Sequence, residues 1–143
     1  MKITQLSVFA ENKPGHIIAP CRLLADAGVD LRALSLADTQ RFGILRIIAS
    51  DWQKAQKVLE QAGFTVRATE VVALEVPDHP GGLADVLTAL KDAEINIEYM
   101  YAFPFGREKR AVLIFRFDNP DAAIARLQAA GISMVAREEL QGN

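Results

Sequence analysis

Glu11-Asn12-Lys13-Pro14-Gly15 and Pro77-Asp78-His79-Pro80-Gly81 decide the fold, because together they state one pattern twice. Pro14 and Pro80 stand 66 residues apart, and that shift keeps the following segments in register. Ile17 falls on Leu83, Leu24 on Leu90, Ala27 on Ala93, Val29 on Ile95 and Leu31 on Ile97. A two-residue insertion near Gly106 changes the shift to 68, so that Leu45 meets Leu113, Ile47 meets Phe115, Leu59 meets Leu127 and Gly63 meets Gly131. One unit used twice sets the architecture before any single element does. A site built on the Pro-Gly turn is then expected in two related, unequal copies.

Each copy reads as strand, helix, strand, strand, helix, strand. Ile3–Ala10 is rich in strand formers and stops at the polar turn 11–13. Ile17–Ala27 carries apolar residues at a helical period (Ile17, Cys21, Leu24, Ala25) and closes on Gly28. Leu31–Ala37 and Ile44–Ala49 are strands joined by Asp38–Gly43. Asp51 caps a second helix with the buried stripe Ala55, Val58, Leu59 and Ala62, closed by Gly63, and Thr65–Ala68 is the fourth strand. In the second copy the elements are Val71–Val76, Leu83–Ala93, Ile97–Phe103, Ala111–Phe117, Asn119–Ala130 and Ser133–Arg137. Asn119-Pro120 opens a helix well, because proline at the first helical position loses no needed N–H. The order predicts an α+β, ferredoxin-like βαββαβ plan, an antiparallel sheet with both helices on one face. Thr69 and Glu70 alone separate the copies, so repeats over residues 1–69 and 70–143 are expected to pack side by side as a rigid pair.

Composition narrows the function. The chain has 143 residues, 50% of them hydrophobic and 24% charged, an ordinary globular balance. A repeat of about 70 residues is near the lower limit for a self-sufficient core. The net charge of −2 lacks the basic footprint of a nucleic-acid binder. No apolar run reaches the ~20 residues of a membrane span, and Met1-Lys2-Ile3-Thr4-Gln5 lacks a signal peptide's apolar stretch. A cytoplasmic protein without membrane or nucleic-acid partners is expected. One cysteine makes neither an internal disulfide nor a metal cluster, and no cofactor is expected.

The third strands are apolar on both faces: Ile44 and Ile48 alternate with Leu45, Ile47 and Ala49, and Val112 and Ile114 with Leu113, Phe115 and Phe117. A sheet covered on one face would alternate more cleanly. Partial exposure is one explanation; a helix-free face packed on a second protomer, giving a homodimer, is the one favoured here.

The chemistry sits at the Pro-Gly turns. A glycine at the strand-to-helix junction lets the backbone approach a ligand closely. The first helical N–H groups are unpaired and carry the positive end of the helix dipole, a receptor for a carboxylate. Asn12 or Asp78, ahead of the turn, offers a side-chain oxygen to an ammonium group. An α-amino acid presents both charges on one carbon. The plainer alternative is that Asn12 and Asp78 cap helices and the glycines permit tight turns. Recurrence of the motif weighs against that alternative.

On these residues the sequence resembles the ACT domain family of amino-acid-binding regulatory modules, in which Asn-x-Pro-Gly or Asp-x-Pro-Gly precedes the first helix. The resemblance covers essentially the whole chain as two repeats. The first turn is especially similar to that of the serine-sensing ACT domain of phosphoglycerate dehydrogenase. The resemblance implies that a turn asparagine and an asparagine opening the second strand of a neighbouring repeat share the ligand. Ile95-Asn96-Ile97 resembles that second element, and Val29-Asp30-Leu31 is its counterpart. The implied sites are Asn12, Lys13, Pro14, Gly15, His16 and Ile17 with Asn96, and Asp78, His79, Pro80, Gly81, Gly82 and Leu83 with Asp30. In each, the N–H groups of residues 15–17 or 81–83 hold the carboxylate. The second turn departs from the pattern, with Asp78 and His79 in place of Asn12 and Lys13.

The rest of the chain offers no competing chemistry. His16 and His79 have no metal-ligand spacing and read as ligand contacts or turn packing. Tyr99, Tyr101 and Phe103 read as core or interface, and Cys21 as core. Arg107, Lys109 and Arg110 read as a solvated hairpin with Glu108. There is no Ser/His/Asp or Cys/His pairing for an enzyme, and the third strand lacks the glycine-aromatic pattern of an RNA-binding sheet. Two functions follow from the resemblance: a non-catalytic sensor binding a free amino acid between its repeats, or a regulatory subunit that docks on a metabolic enzyme without a ligand of its own.

Overall fold

The computed structural model describes residues 2–38, 41–104 and 109–141. Its elements run β1 (Ile3–Glu11), α1 (Ile18–Asp26), β2 (Leu31–Asp38), β3 (Phe42–Ala49), α2 (Trp52–Gln61), β4 (Thr65–Pro77), α3 (Gly82–Thr88), β5 (Ile97–Ala102), β6 (Arg110–Phe117), α4 (Pro120–Ala129) and α5 (Arg137–Gln141). A first unit is built on Thr4–Thr69 and a second on Glu70–Glu139; Lys2 and Ile3 group with the second, Leu140 and Gln141 with the first. Among the described residues, no helix is long and apolar enough to cross a membrane.

In the first unit β3 lies between β1 and β2, antiparallel to both, with Leu6 and Leu34 opposite Ile47 and with Val8 and Leu36 opposite Leu45. Residues opposite one another share a face. Leu6, Val8, Leu45 and Ile47 form a buried cluster with Leu24 of α1 and with Ala55 and Leu59 of α2. Asp51 caps α2, accepting from the Lys54 N–H at 3.1 Å. In the second unit β6 lies between β4 and β5, with Leu74 opposite Leu113 and Tyr101 opposite Ile114. Its core joins Val72, Leu74, Val76, Phe115 and Phe117 to Val86 and Leu90 and to Ala123 and Leu127 of α4. Asn119 caps α4 through Ala122 N–H at 3.2 Å, with Pro120 first in the helix.

The sequence repeat is also a repeat of hydrogen bonds. Asn12 N donates to Arg41 O, as Asp78 N does to Lys109 O. Ser50 N donates to Asp30 O and Phe64 N to Leu59 O; their counterparts Asp118 N and Ile132 N donate to Asn96 O and Leu127 O. Even the irregularity of the second strand recurs, between Leu31 and Ala33 and between Ile97 and Tyr99. The shift passes from 66 to 68 across the second hairpin, whose residue Gly106 lies outside the described residues.

Three local expectations are corrected. The expected strand Ser133–Arg137 reduces to a bridge between Met134 and Leu74, flanked by Glu75 N to Ser133 O and Val135 N to Ala73 O. The chain then turns into α5, whose first turn carries Glu138 and Glu139, favourable at a helix N-terminus. The buried Gln141 is satisfied by the carbonyls of Thr4 and Ala49. The expected helix Leu83–Ala93 is α3, only seven residues long, continued by tighter bonds from Ala89, Leu90, Lys91 and Ala93 to the third residue before each. Thr65–Ala68 and Val71–Val76 are one strand, β4, extended through Thr69 and Glu70.

A fourth correction concerns the apolar sheet faces. Ile48, Val112 and Ile114 are already buried within one chain and Ile44 is half-buried, so these four form no free surface for a partner. The exposed large apolar residues are instead Ile18, Leu34, Leu36, Phe42 and Met100.

After α1 the left-handed position is Gly28 (φ +72°); its counterpart after α3 is Glu94, at φ +53°. A side chain is strained there, and glycine is not. Glu94→Gly is therefore expected to stabilise the protein by about 1 kcal/mol, the relieved strain exceeding glycine's added unfolded-state entropy. An unchanged or lower urea midpoint would contradict this.

Candidate functional site

Each unit builds the same turn between its first strand and first helix. Gly15 and Gly81 take the left-handed conformation, at φ +84° and +88°. The next N–H closes the turn backwards: His16 N donates to Lys13 O at 3.2 Å, and Gly82 N to His79 O at 3.0 Å. Of the three expected carboxylate donors, the middle one is thus committed to the turn. The N–H groups on either side (Gly15 and Ile17, Gly81 and Leu83) find no acceptor among the described residues.

Asn12 and Asp78 do not cap these helices. The N-cap positions are Ile17 and Gly81, neither of which makes a side-chain cap bond. Both Asn12 and Asp78 are exposed, and no side-chain hydrogen bond engages them among the described residues. The capping alternative is removed, and both carbonyl or carboxylate oxygens stay available to a ligand.

The two turns differ in charge and in room. Lys13 lies 2.6 Å from Glu11 and, by hydrogen bond and by charge, holds the Glu11 carboxyl below its ordinary value, with a smaller push from His16. In the second turn His79 Nδ1 donates to the Pro80 carbonyl at 2.9 Å instead. The first turn of α1 has no acidic residue, whereas α3 carries Asp85 there, already occupying the positive end of the helix. A Cβ on Gly82 would stand 2.0 Å from Pro77 O, so the second turn is folded against its own strand; His16 has a side chain at the same place.

The strand-opening residues sit at the far end of each sheet from the turn of the same unit. Asn12 is bonded at the β2–β3 hairpin through Arg41 O, whereas Asp30 N donates to Ser50 Oγ at 3.0 Å beyond the other end of β3. Likewise Asp78 is bonded to Lys109, and Asn96 N donates to Asp118 Oδ1 at 3.0 Å. Neither unit completes the expected pair with its own residues.

Beside each turn lies a depression that sequence reasoning missed. Next to the first, Ile17, Ile18, Cys21, Arg22 and Ala25 line about 360 Å³. Next to the second, about 340 Å³ is lined by Pro77, Asp85, Val86 and Ser133, with Arg110 3.5 Å from Glu75. Arg110 reads from sequence as part of a solvated hairpin, yet it opens β6 opposite Pro77. The signal was in the repeat: Phe42, its counterpart, faces Glu11 in the same way. Arg107 and Glu108 lie outside the described residues. Among the described residues no group of three His, Cys, Asp or Glu side chains is placed to hold a metal.

The sequence profile of the ACT domain pair matches residues 1–142. The chain is similar to the crystal structure of protein BT0572 from Bacteroides thetaiotaomicron, with 38% identity over 100% of this chain and 98% of that one and a TM-score of 0.92. Its fold also resembles the regulatory subunit of aspartate kinase from Thermus thermophilus, solved ligand-free, at 18% identity, 90% of each chain and a TM-score of 0.66. The Thermus flavus subunit gives 19% identity over 90% of this chain and 92% of that one, with a TM-score of 0.60. No curated protein matches the sequence.

Two measurements probe the turns. Gly82→Ala is expected to destabilise the protein by about 1–3 kcal/mol, since the added methyl meets backbone rather than a mobile side chain; an unchanged melting temperature would contradict the tight second turn. The Glu11 carboxyl should titrate below its ordinary 4.5 in an NMR experiment and move up in Lys13→Met. Because its folded value is lowered, its contribution is present above 4.5 and is lost as the pH falls through the folded value. A midpoint unmoved by Lys13→Met would contradict the pairing.

Proposed function

Because the chain belongs to the ACT domain pair family, we propose that it is a non-catalytic regulatory protein that binds a free amino acid at its Pro-Gly turns. The observation that carries this reading is the uncapped helix entry. Two backbone N–H groups and the Asn12 side chain have no partner among the described residues around a left-handed glycine, although the fold has closed the turn without them. Such a place suits a carboxylate on the N–H groups of Gly15 and Ile17, with the ammonium group near the Asn12 oxygen. The first turn is the stronger half-site. At the second, Asp78 and Asp85 together oppose a carboxylate while favouring an ammonium group.

The ligand is a signal and is not transformed, so its effect is read by a partner. A metabolic enzyme is the partner this reading favours, with the fold of the two Thermus kinase subunits as precedent. Asn96 and Asp30, which lie at the far end of the sheet from the turns of their own units, are the residues that the family pattern assigns to a neighbouring turn.

Thermal-shift screening of the proteinogenic amino acids is the direct experiment. A ligand at 100 times its dissociation constant stabilises by about 2.7 kcal/mol. For the amino acid so found, Asn12→Ala is expected to lose about 1.5–3 kcal/mol of binding, tenfold or more in affinity. Gly15→Val, which forces a β-branched side chain into the left-handed region, is expected to abolish the site, and Asn96→Ala reports whether the second-strand asparagine takes part. Absence of any shift, or parental affinity in both Asn12→Ala and Gly15→Val, overturns the proposal.

A further inference from the structure

The two copies diverge most where the second has lost apolar bulk. In the register of the repeat, Phe9, Leu23, Phe42 and Phe64 of the first unit stand where the second has Glu75, Ala89, Arg110 and Ile132. Leu23 and Phe64 pack on the core of the first unit. In the second unit all four replacements line one depression of about 340 Å³. We propose that this depression, opened by that divergence, binds a small organic cation: a primary amine carried on an apolar body.

The backbone makes the opening. Glu75 N donates to Ser133 O at 3.0 Å and ties the segment after α4 to the edge of β4. Toward the end of β4 that pairing stops. Pro77 has no N–H to give, and Gly131, at φ +75°, sends its own N–H back to Gln128 O in α4. Among the described residues no backbone bond joins residues 76–77 to 130–132. Buried Val86 and Ala89 of α3 close another side. The volume lies at the lower end of the range of small-molecule sites. It is no copy of the depression beside the first turn, because the counterparts of Ile18, Cys21 and Ala25 are Ala84, Leu87 and Lys91, and none of these lines it. Neither Asp78 nor Gly81 lines it either.

The charge of the lining selects the ligand. Glu75 and Asp85 bring two carboxylates against the single guanidinium of Arg110. The Glu75 side chain is only 18% exposed and lies 3.5 Å from Arg110, which is half-exposed. The Asp85 side chain has no partner among the described residues. Arg126 donates to Ala89 O at 3.1 Å but is not among the lining residues. The surplus charge is therefore negative, and a partly enclosed charge gains most from a partner of opposite sign. Pro77, Val86 and Ile132 surround it with apolar surface, which suits an ammonium group borne on hydrocarbon better than a hydrated inorganic ion. The ligand needs no carboxylate, so this site and amino-acid binding at the turns can each fail while the other stands.

The test uses the full chain and two amines, butylamine and phenethylamine. Titration calorimetry is expected to show saturable binding of the amines and none of butanol, phenethyl alcohol or hydrocinnamate. Amide shifts in NMR should fall on Ala89, Ile132 and Ser133. Glu75→Gln, which keeps the shape of the side chain, should weaken amine binding by about tenfold or more. Glu75→Phe/Ala89→Leu, which restores the residues of the first unit, should fill the depression and abolish binding. Absence of saturable amine binding, equal binding of the alcohols or the carboxylate, shifts confined to residues 12–17 or 78–83, or parental affinity in Glu75→Gln overturns the proposal.

Discussion

The structure depends on the reversal between the first strand and first helix of each unit. Leu6 and Val8 on β1, with Leu45 and Ile47 on β3, need α1 and α2 over them, and residues 12–17 must turn the chain back onto that face. At these two reversals the chain passes through one residue of the left-handed conformation. Gly15 and Gly81 supply it, and a bond from the next N–H closes the turn. The constraint is met entirely by backbone. Side chains at residues 12 and 78 are released from structural duty, and for that reason the same turn can hold the fold and still present chemistry.

What was legible in the sequence is what backbone periodicity controls. The Pro-Gly recurrence, the closing glycines Gly28, Gly63 and Gly131, and the caps Asp51 and Asn119 located the helices to within a few residues. All of these are local: a left-handed residue or a capping oxygen acts over one turn. The end of the chain was not legible. Ser133–Arg137 contains β-branched and apolar residues at strand spacing, but only Met134 bridges β4. The short α5 that follows is fixed by where Leu140 and Gln141 find burial and carbonyl partners in residues more than ninety positions away. No local pattern carries that information.

The two Pro-Gly turns were legible in the sequence, but their hydrogen bonding was not. Counting donors along a helix start gives three free N–H groups, yet the left-handed glycine redirects the middle one into the turn. The inequality of the two copies likewise lies beyond the motif. With Gly82 in place of His16 the second turn closes on Pro77, and Asp85 puts an acidic residue in the first turn of α3 where α1 has none. Duplication conserved the hydrogen bonds while the side chains around them diverged, so the fold stays symmetric and the chemistry does not.

Apolar strands on both faces of a sheet say that something covers them, but alternation alone does not say what. Ile48, Val112 and Ile114 are covered within the chain, and the large apolar side chains left exposed among the described residues are Ile18, Leu34, Leu36, Phe42 and Met100. The difference has a physical origin. A face is closed by side-chain packing, which any apolar layer provides, whereas an edge also leaves peptide N–H and C=O groups that only another strand in register satisfies. Register in turn demands a specific order of residues, because a slip by one reverses every side chain.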